Sequence, residues 1–199
     1  MNKNKVSKKT LAITSILLGG FLFSILLTVL FSPYGYDKER GFKLVKTSIL
    51  IAAPSNAVYA YLGNSENAKH WSVFVDHINP LNSNLVTDGM EGSIRRCFVN
   101  ENEKGQSWDE EVLTVEHNKL RMLSCFGFYQ FPITAGTLNT EQIYEQTDEK
   151  HCLLSLTLFF PPEEATFVKD LKLYWAAYKV ADIFDDNLEN IKKLNERIE

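Results

Sequence analysis

The acidic run Asp109-Glu110-Glu111, the arginine Arg96 and three cysteines are the residues of this 199-residue chain whose types and spacing could do chemistry. On a strand, successive side chains alternate, so Glu110 takes one face and its two neighbours the other, and at least one carboxylate turns toward any enclosed interior. A buried carboxylate is raised in pKa unless a cation pairs with it. If the polar loop Asn100–Ser107 closes a symmetric hairpin, Arg96 falls opposite Glu111, a cross-strand pair of opposite charge. Such a pair is a polar anchor for a ligand carbonyl or hydroxyl; the alternative reading is a solvated sheet edge.

Cys97, Cys125 and Cys152 lie on separate expected strands. An odd number leaves at least one unpaired, one bridge such as Cys125 with Cys152 stays open, and the simplest reading is three small buried hydrophobes. A nucleophilic thiol needs a base and a lowered pKa, yet His151 and Cys152, adjacent on a strand, point to opposite faces. His70, His77, His117 and His151 lack metal-ligand spacing, so no metal site is expected. There is also no Gly-rich phosphate loop, no Gly-x-Ser-x-Gly elbow and no basic patch with interleaved aromatics. No catalytic residue is assigned, no cofactor is expected, and nucleic acid is disfavoured as a partner.

Aromatic residues are the more suggestive group. Trp71, Phe74, Trp108, Phe126, Phe128, Tyr174, Trp175 and Tyr178 are spread over short helices, strands and the first half of a terminal helix. Flat side chains line apolar pockets well, and the hydroxyls of Tyr174 or Tyr178 could meet a ligand's polar end. The expected ligand-binding set is therefore Trp71, Phe74, Arg96, Trp108, Glu111, Phe126, Phe128, Tyr174 and Tyr178. The competing reading for the aromatics is a solid core.

The elements that hold these residues follow from pattern. Phe42–Ala52 is rich in β-branched and apolar residues and predicts a strand closed by Pro54, followed by a short helix AVYAYL with Ser55 or Asn56 as its cap. A second short helix runs from about Ser65 past Trp71, and Asn79-Pro80 ends it. Strands are expected at Ser93–Val99, Trp108–Val115, Leu120–Phe128, Ile133–Gln146 and Cys152–Phe160, where Pro161-Pro162 stops them. Glu163 and Glu164 open one long amphipathic helix, with apolar residues spaced by threes and fours from Phe167 to Ile198. A curved antiparallel sheet closed by one helix is an α+β arrangement that leaves a hollow between its layers, and the hollow is the expected binding site.

Leu11–Phe31 contains no charge, and as a helix spans about 31 Å, the thickness of a bilayer core. Four lysines precede it, whereas the stretch after it is balanced, which predicts a cytoplasmic amino end and a domain outside. A cleaved signal peptide is the competing reading. Residues 1–10 then form a basic tail, 11–31 a single transmembrane helix, 32–41 a linker and 42–199 one folded domain. The net charge of −4 conceals an asymmetry: beyond residue 32 the chain carries 17 basic and 25 acidic side chains.

The stretch Val45–Trp71 resembles the opening of the START-like or SRPBCC superfamily, which includes members labelled polyketide cyclase/dehydrase. The matching residues are Ile51, Ala53, Pro54, Val58, Tyr59, Leu62 and Trp71, joined further on by the Gly89-x-x-Gly92-Ser93 bend, the Arg96 strand and Trp108-x-Glu110-Glu111-Val112. The resemblance covers roughly residues 42–195. It implies the helix-grip fold: about seven antiparallel strands gripping a carboxyl-terminal helix around a cavity used for sterols, lipids, quinones, plant hormones or polyketides. The expectation is a membrane-anchored protein that holds a hydrophobic small molecule, such as a lipid or isoprenoid. A cyclase-like enzyme acting on a ketone and a ligand-free interaction module are the alternatives, and protein partners are not legible.

Overall fold

A computed structural model describes residues 8–131 and 136–196. The first described element is helix α1 (Lys8–Phe31), whose apolar stretch Ala12–Phe31 has a mean hydropathy of 2.3 and buries none of its residues in the rest of the molecule. One N-terminal helix is thus long and apolar enough to cross a membrane, as a membrane anchor or a signal sequence would be.

Eight strands follow: β1 (Gly35–Asp37), β2 (Phe42–Ile51), β3 (His77–Pro80), β4 (Ile94–Phe98), β5 (Ser107–Glu116), β6 (Leu120–Tyr129), β7 (Leu138–Asp148) and β8 (His151–Phe159). All pair antiparallel in one sheet, ordered β1-β2-β8-β7-β6-β5-β4-β3. Hairpins make the run from β4 to β8, while α2 (Ser55–Gly63), a 3₁₀ turn (Ser65–Asn67) and α3 (Ala68–Trp71) carry the chain from β2 to the opposite edge at β3. Register breaks at Ser107/Asp109 and Val112/Thr114 between β5 and β6 bend the sheet, because an extra residue on one strand locally increases twist. The concave face is closed by α4 (Phe167–Asn195), 29 residues and about 43 Å long. This is the α+β helix-grip arrangement.

Two segments differ from their expected form. The stretch 32–41, read as a linker, folds back instead: β1 pairs with β2, Tyr34 is buried, and Arg40 reaches Glu141 of β7 through two hydrogen bonds of 3.0 and 2.9 Å. Asn79-Pro80 does not end a helix but closes β3, where a residue without an N–H is tolerated because β3 is the sheet edge. These two edge strands add to the six expected from pattern and make eight, against the about seven that the resemblance implies. The expected strand start at Ile133 lies outside the described residues.

Helix boundaries shift for local reasons. Pro54 is the cap of α2, and the expected caps Ser55 and Asn56 sit just inside the helix, where the Ser55 amide donates to Gln146 Oε1 at 2.7 Å. Glu163 and Glu164 fall in a 3₁₀ turn (Pro162–Glu164); α4 starts after Thr166, whose Oγ1 accepts from the Lys169 amide at 3.3 Å. Packing is organised in three apolar clusters. The largest joins Ile51, Val58, Leu62, Leu154, Leu188 and Ile191 of β2, α2, β8 and α4, and thereby fixes the far half of α4 on the sheet.

Candidate functional site

Along its near half α4 packs on β2, where Leu173 and Ala177 join Val45, and faces the inner surface of the remaining strands. Between them lies a cavity of about 480 Å³, lined by α2, α3, the inner faces of β4 to β8 and α4. Its walls are mostly apolar. Phe74 stacks on Trp108 with centroids 5.8 Å apart, Phe131 meets both rings edge-on, and Phe128 packs edge-on against Phe131. Leu173, Ala176, Val180, Ile183 and Phe184 form the α4 wall.

Arg95, Glu110, Glu141 and Lys179 are the charged residues that line this space, and the first two pair with each other inside it. Arg95 on β4 and Glu110 on β5 are cross-strand partners on the concave face, with Nε 3.1 Å from Oε2. Glu110 Oε1 also accepts from Trp108 Nε1 at 3.0 Å and lies 3.8 Å from Cys125 Sγ. Arg95 Nη1 donates to Ser65 Oγ at 3.3 Å, and Ser65 is itself held by Asp88 through its amide and hydroxyl at 2.7 and 2.8 Å. Burial opposes the charge on Arg95, but the Glu110 carboxylate, with Asp88 beyond it, outweighs that cost and holds its pKa above the ordinary value. The Trp71 indole lines the same cavity, and its buried Nε1 meets no acceptor among the described residues, a spare donor.

Behind the cavity, Arg121 on β6 is 1% exposed, and no carboxylate of the described residues pairs with it. Its Nε donates to Gly89 O at 3.0 Å, and Nη1 donates to Gln142 Oε1 and the Tyr144 hydroxyl at 3.0 and 3.2 Å. The guanidinium carbon lies 4.4 Å from the Tyr59 ring centroid, a cation–π contact. Burial raises the Tyr144 hydroxyl well above its usual pKa, so it is a neutral donor here.

The three cysteines are free and buried. Burial first, then the Glu110 carboxylate, raises Cys97 and Cys125 well above the thiol range, and burial lifts Cys152 to about 11. Each is a protonated, unreactive thiol, the small-hydrophobe reading. Among the described residues, no group of histidine, cysteine and acidic side chains could hold a metal ion.

Comparison with known proteins places this geometry. No family model matches the chain, and no curated protein does. Solved structures do. A START superfamily protein from Mycobacterium smegmatis aligns with a TM-score of 0.56 at 13% identity, over 78% of this chain and 99% of its own. The Zhui aromatase/cyclase from Streptomyces sp. R1128 aligns at 0.55 and 14%, over 77% and 93%. Norcoclaurine synthase from Thalictrum flavum, in complex with dopamine and hydroxybenzaldehyde, aligns at 0.53 and 16%, over 79% and 88%. The chain has the START-like helix-grip fold. At these identities the likeness is one of fold.

Within that fold the expected site residues separate into two groups. Trp71, Phe74, Trp108 and Phe128 line the cavity. Arg96, Glu111, Phe126, Tyr174 and Tyr178 do not. The hairpin closes two residues away from the expected register: Arg96 is opposite Asp109 and bonds it at 2.7 and 2.9 Å, while Glu111 is opposite Ile94. A slip of two preserves the face, and that face is the outer one. Phe126 and Phe128 would share a face by alternation, but Gly127 at φ 63° breaks it and only Phe128 enters the cavity. Tyr174 and Tyr178 look toward α1: Tyr174 packs edge-on with Tyr34 at 5.3 Å, and the Tyr178 hydroxyl donates to Thr28 O at 3.1 Å.

The residues that sequence reasoning missed share one signal. Arg95-x-Cys97 and Trp108-x-Glu110-x-Val112 each place a charge in phase with apolar residues, and so does Arg121-x-Leu123-x-Cys125. A charge in phase with the core face is an interior charge. Arg96 and Glu111 are out of phase with those positions.

Proposed function

We propose that this chain is a single-pass membrane protein whose helix-grip domain, outside the cytoplasm, binds a hydrophobic small molecule such as a lipid or isoprenoid in the cavity between sheet and α4. The observation that carries this reading is the 480 Å³ hollow itself, aromatic and aliphatic on most of its walls, with the Arg95–Glu110 pair set among them. That volume falls within the ~300–1,000 Å³ typical of small-molecule sites. Each CH₂ moved from water onto such walls contributes about 0.8 kcal/mol, so an extended or polycyclic hydrocarbon gains most of its binding free energy without a specific contact. Trp71, Phe74, Trp108 and Phe128 form the apolar seat. Arg95 and Glu110 supply one donor-acceptor pole for a hydroxyl or carbonyl. Anchoring through α1 keeps the cavity near the bilayer that holds such molecules, and the four lysines before the uncharged stretch Leu11–Phe31 support a cytoplasmic amino end.

The experiment is native mass spectrometry of the full chain extracted from membranes under mild conditions. A lipid-mass adduct displaced by excess detergent is expected; an unloaded protein that also fails to take up added lipids overturns the reading. Protection of a carboxyl-terminal tag from protease added to intact cells overturns the orientation.

A second reading has one observation in its favour. Arg95 and Glu110 converge inside the cavity, and ionisable groups converging on a bound ketone are what a cyclase-like enzyme requires. A ligand leaving with altered mass would support that reading, and an unaltered one supports binding alone.

A further inference from the structure

We propose that the exposed apolar strip on the first half of α4, formed by Phe167, Val168, Trp175 and Tyr178, lies in the headgroup layer of the bilayer that α1 spans, so that the partner of this face is a lipid surface. The inference rests on α1 being a membrane anchor and adds how the domain is seated upon that membrane.

The strip is unusual in its exposure: 81% for Phe167, 61% for Val168, 55% for Trp175 and 40% for Tyr178. At about 100° per residue these four positions share one arc of α4 of about 100°, away from Leu173 and Ala177, which are buried against the core. Contiguous exposed apolar surface rimmed by charge marks an interaction site. Its occupant is indicated by the way α1 and the strip are joined. The Tyr178 hydroxyl donates to Thr28 O at 3.1 Å, a carbonyl inside the apolar stretch Ala12–Phe31. Ser32 Oγ donates to Tyr174 O at 2.9 Å, and the Tyr34 hydroxyl donates to Asp170 Oδ1 at 2.9 Å. Three successive contacts therefore fasten the last turn of α1 and the chain leaving it to the first four turns of α4. If α1 spans a bilayer, this strip is at its surface.

Residue types agree with that depth. Trp and Tyr favour the interface because their rings have an apolar body and a polar tip. Lys172 and Lys179, both exposed, flank the strip, and long cationic side chains beside an apolar face reach lipid phosphates. Beyond Tyr178 the exposed residues include Asp182, Asp185, Asp186 and Glu189, so the apolar strip ends there.

The test is quenching of tryptophan emission by bromine on lipid chains. The full chain is reconstituted in phosphatidylcholine vesicles, with and without dibrominated phosphatidylcholine, as wild type and as Trp175→Phe, a conservative change at an exposed position. Trp71 and Trp108 are present in both, so the difference in emission belongs to Trp175. That difference is expected to fall by at least half in brominated vesicles, and a tryptophan placed by Phe167→Trp in the Trp175→Phe background is expected to behave likewise. If both signals are insensitive to bromine while the protein resists alkaline carbonate extraction, the anchor stands and the proposal fails. If chemical cross-links instead join α4 to α4 of another copy, the strip is a dimer face and the proposal again fails. Release by carbonate overturns the anchor and the proposal together.

Discussion

Arg95 and Glu110 pair across β4 and β5 inside the cavity, one position away from Arg96 and Asp109, which make the same kind of pair on the outer face. The side chain of Arg95 is 4% exposed and that of Arg96 46%, so two neighbouring arginines with similar bonds sit in very different dielectric surroundings. The inner pair is costly to break from one side, because the remaining charge stays buried without its counterion. The outer pair has water as an alternative partner.

Arg95→Met or Glu110→Leu alone is expected to destabilise the protein by about 3–5 kcal/mol, and the double variant to recover much of that loss. Arg96→Met is expected to cost less than about 1 kcal/mol. Urea unfolding of the detergent-solubilised chain, followed by circular dichroism, measures all four. Equal losses for Arg95→Met and Arg96→Met would contradict the assignment of inner and outer faces.

The fold was legible because the features that set it are local in sequence. Alternation, the Pro161-Pro162 stop and the threes-and-fours spacing of α4 each act within a few residues, and the order of elements then leaves few topologies. The edge strand β1 was not legible: Gly35–Asp37 is three residues long and exists through its pairing with β2 and the reach of Arg40 to Glu141. The site was half legible. Aromatic type found Trp71, Phe74, Trp108 and Phe128, but register and a single left-handed Gly127 decided which charges and which phenylalanine turn inward. Both depend on turn geometry that composition does not specify. Tyr174 and Tyr178 were misplaced because an amphipathic helix with two apolar faces does not say which one meets the cavity.

Filling the hollow tests its use. Ala176 lines the cavity from α4, and Ala176→Trp would place an indole where the ligand is proposed to sit. Binding of a fluorescent fatty acid is expected to weaken at least tenfold, with the unfolding midpoint unchanged or raised, since the new ring covers apolar wall. Undiminished binding in a folded variant would place the ligand elsewhere.

Gly89 and Gly92 frame the bend before β4, both with positive φ, 75° and 82°. They differ in their surroundings. A Cβ on Gly89 would stand 2.3 Å from Gly63 O, whereas on Gly92 the nearest atom is Val86 Cγ2 at 4.0 Å. Gly92→Ala is expected to cost about 1–2 kcal/mol, the strain of a left-handed residue with a side chain. Gly89→Ala adds a backbone collision and disturbs the carbonyl that Arg121 uses, so the loss is expected to exceed that of Gly92→Ala by at least about 1 kcal/mol. Thermal melts of the two variants decide the order, and a reversed order would show that the bend is not seated against Gly63.

Stability is expected to fall on the alkaline side. Burial lifts the Cys152 thiol to about 11, with the Glu145 carboxylate adding to it, and burial raises Cys97 and Cys125 well above the ordinary thiol value. An unfolded thiol ionises near pH ~8.5. Above that pH the unfolded chain has released protons which the folded chain still holds, so the unfolding free energy declines as pH rises, and the contribution is fully present below it. Tyr144, raised by burial, extends the decline above pH ~10. The urea midpoint is therefore expected to be flat from pH 7 to 8 and to drop steadily between about pH 9 and 11, with a shallower drop in Cys152→Ala. The same burial predicts slow reaction of all three thiols with a disulfide reagent in the folded state and rapid reaction in urea. A midpoint that holds constant to pH ~10.5 would mean that the thiols ionise freely in the folded protein and are not enclosed as described.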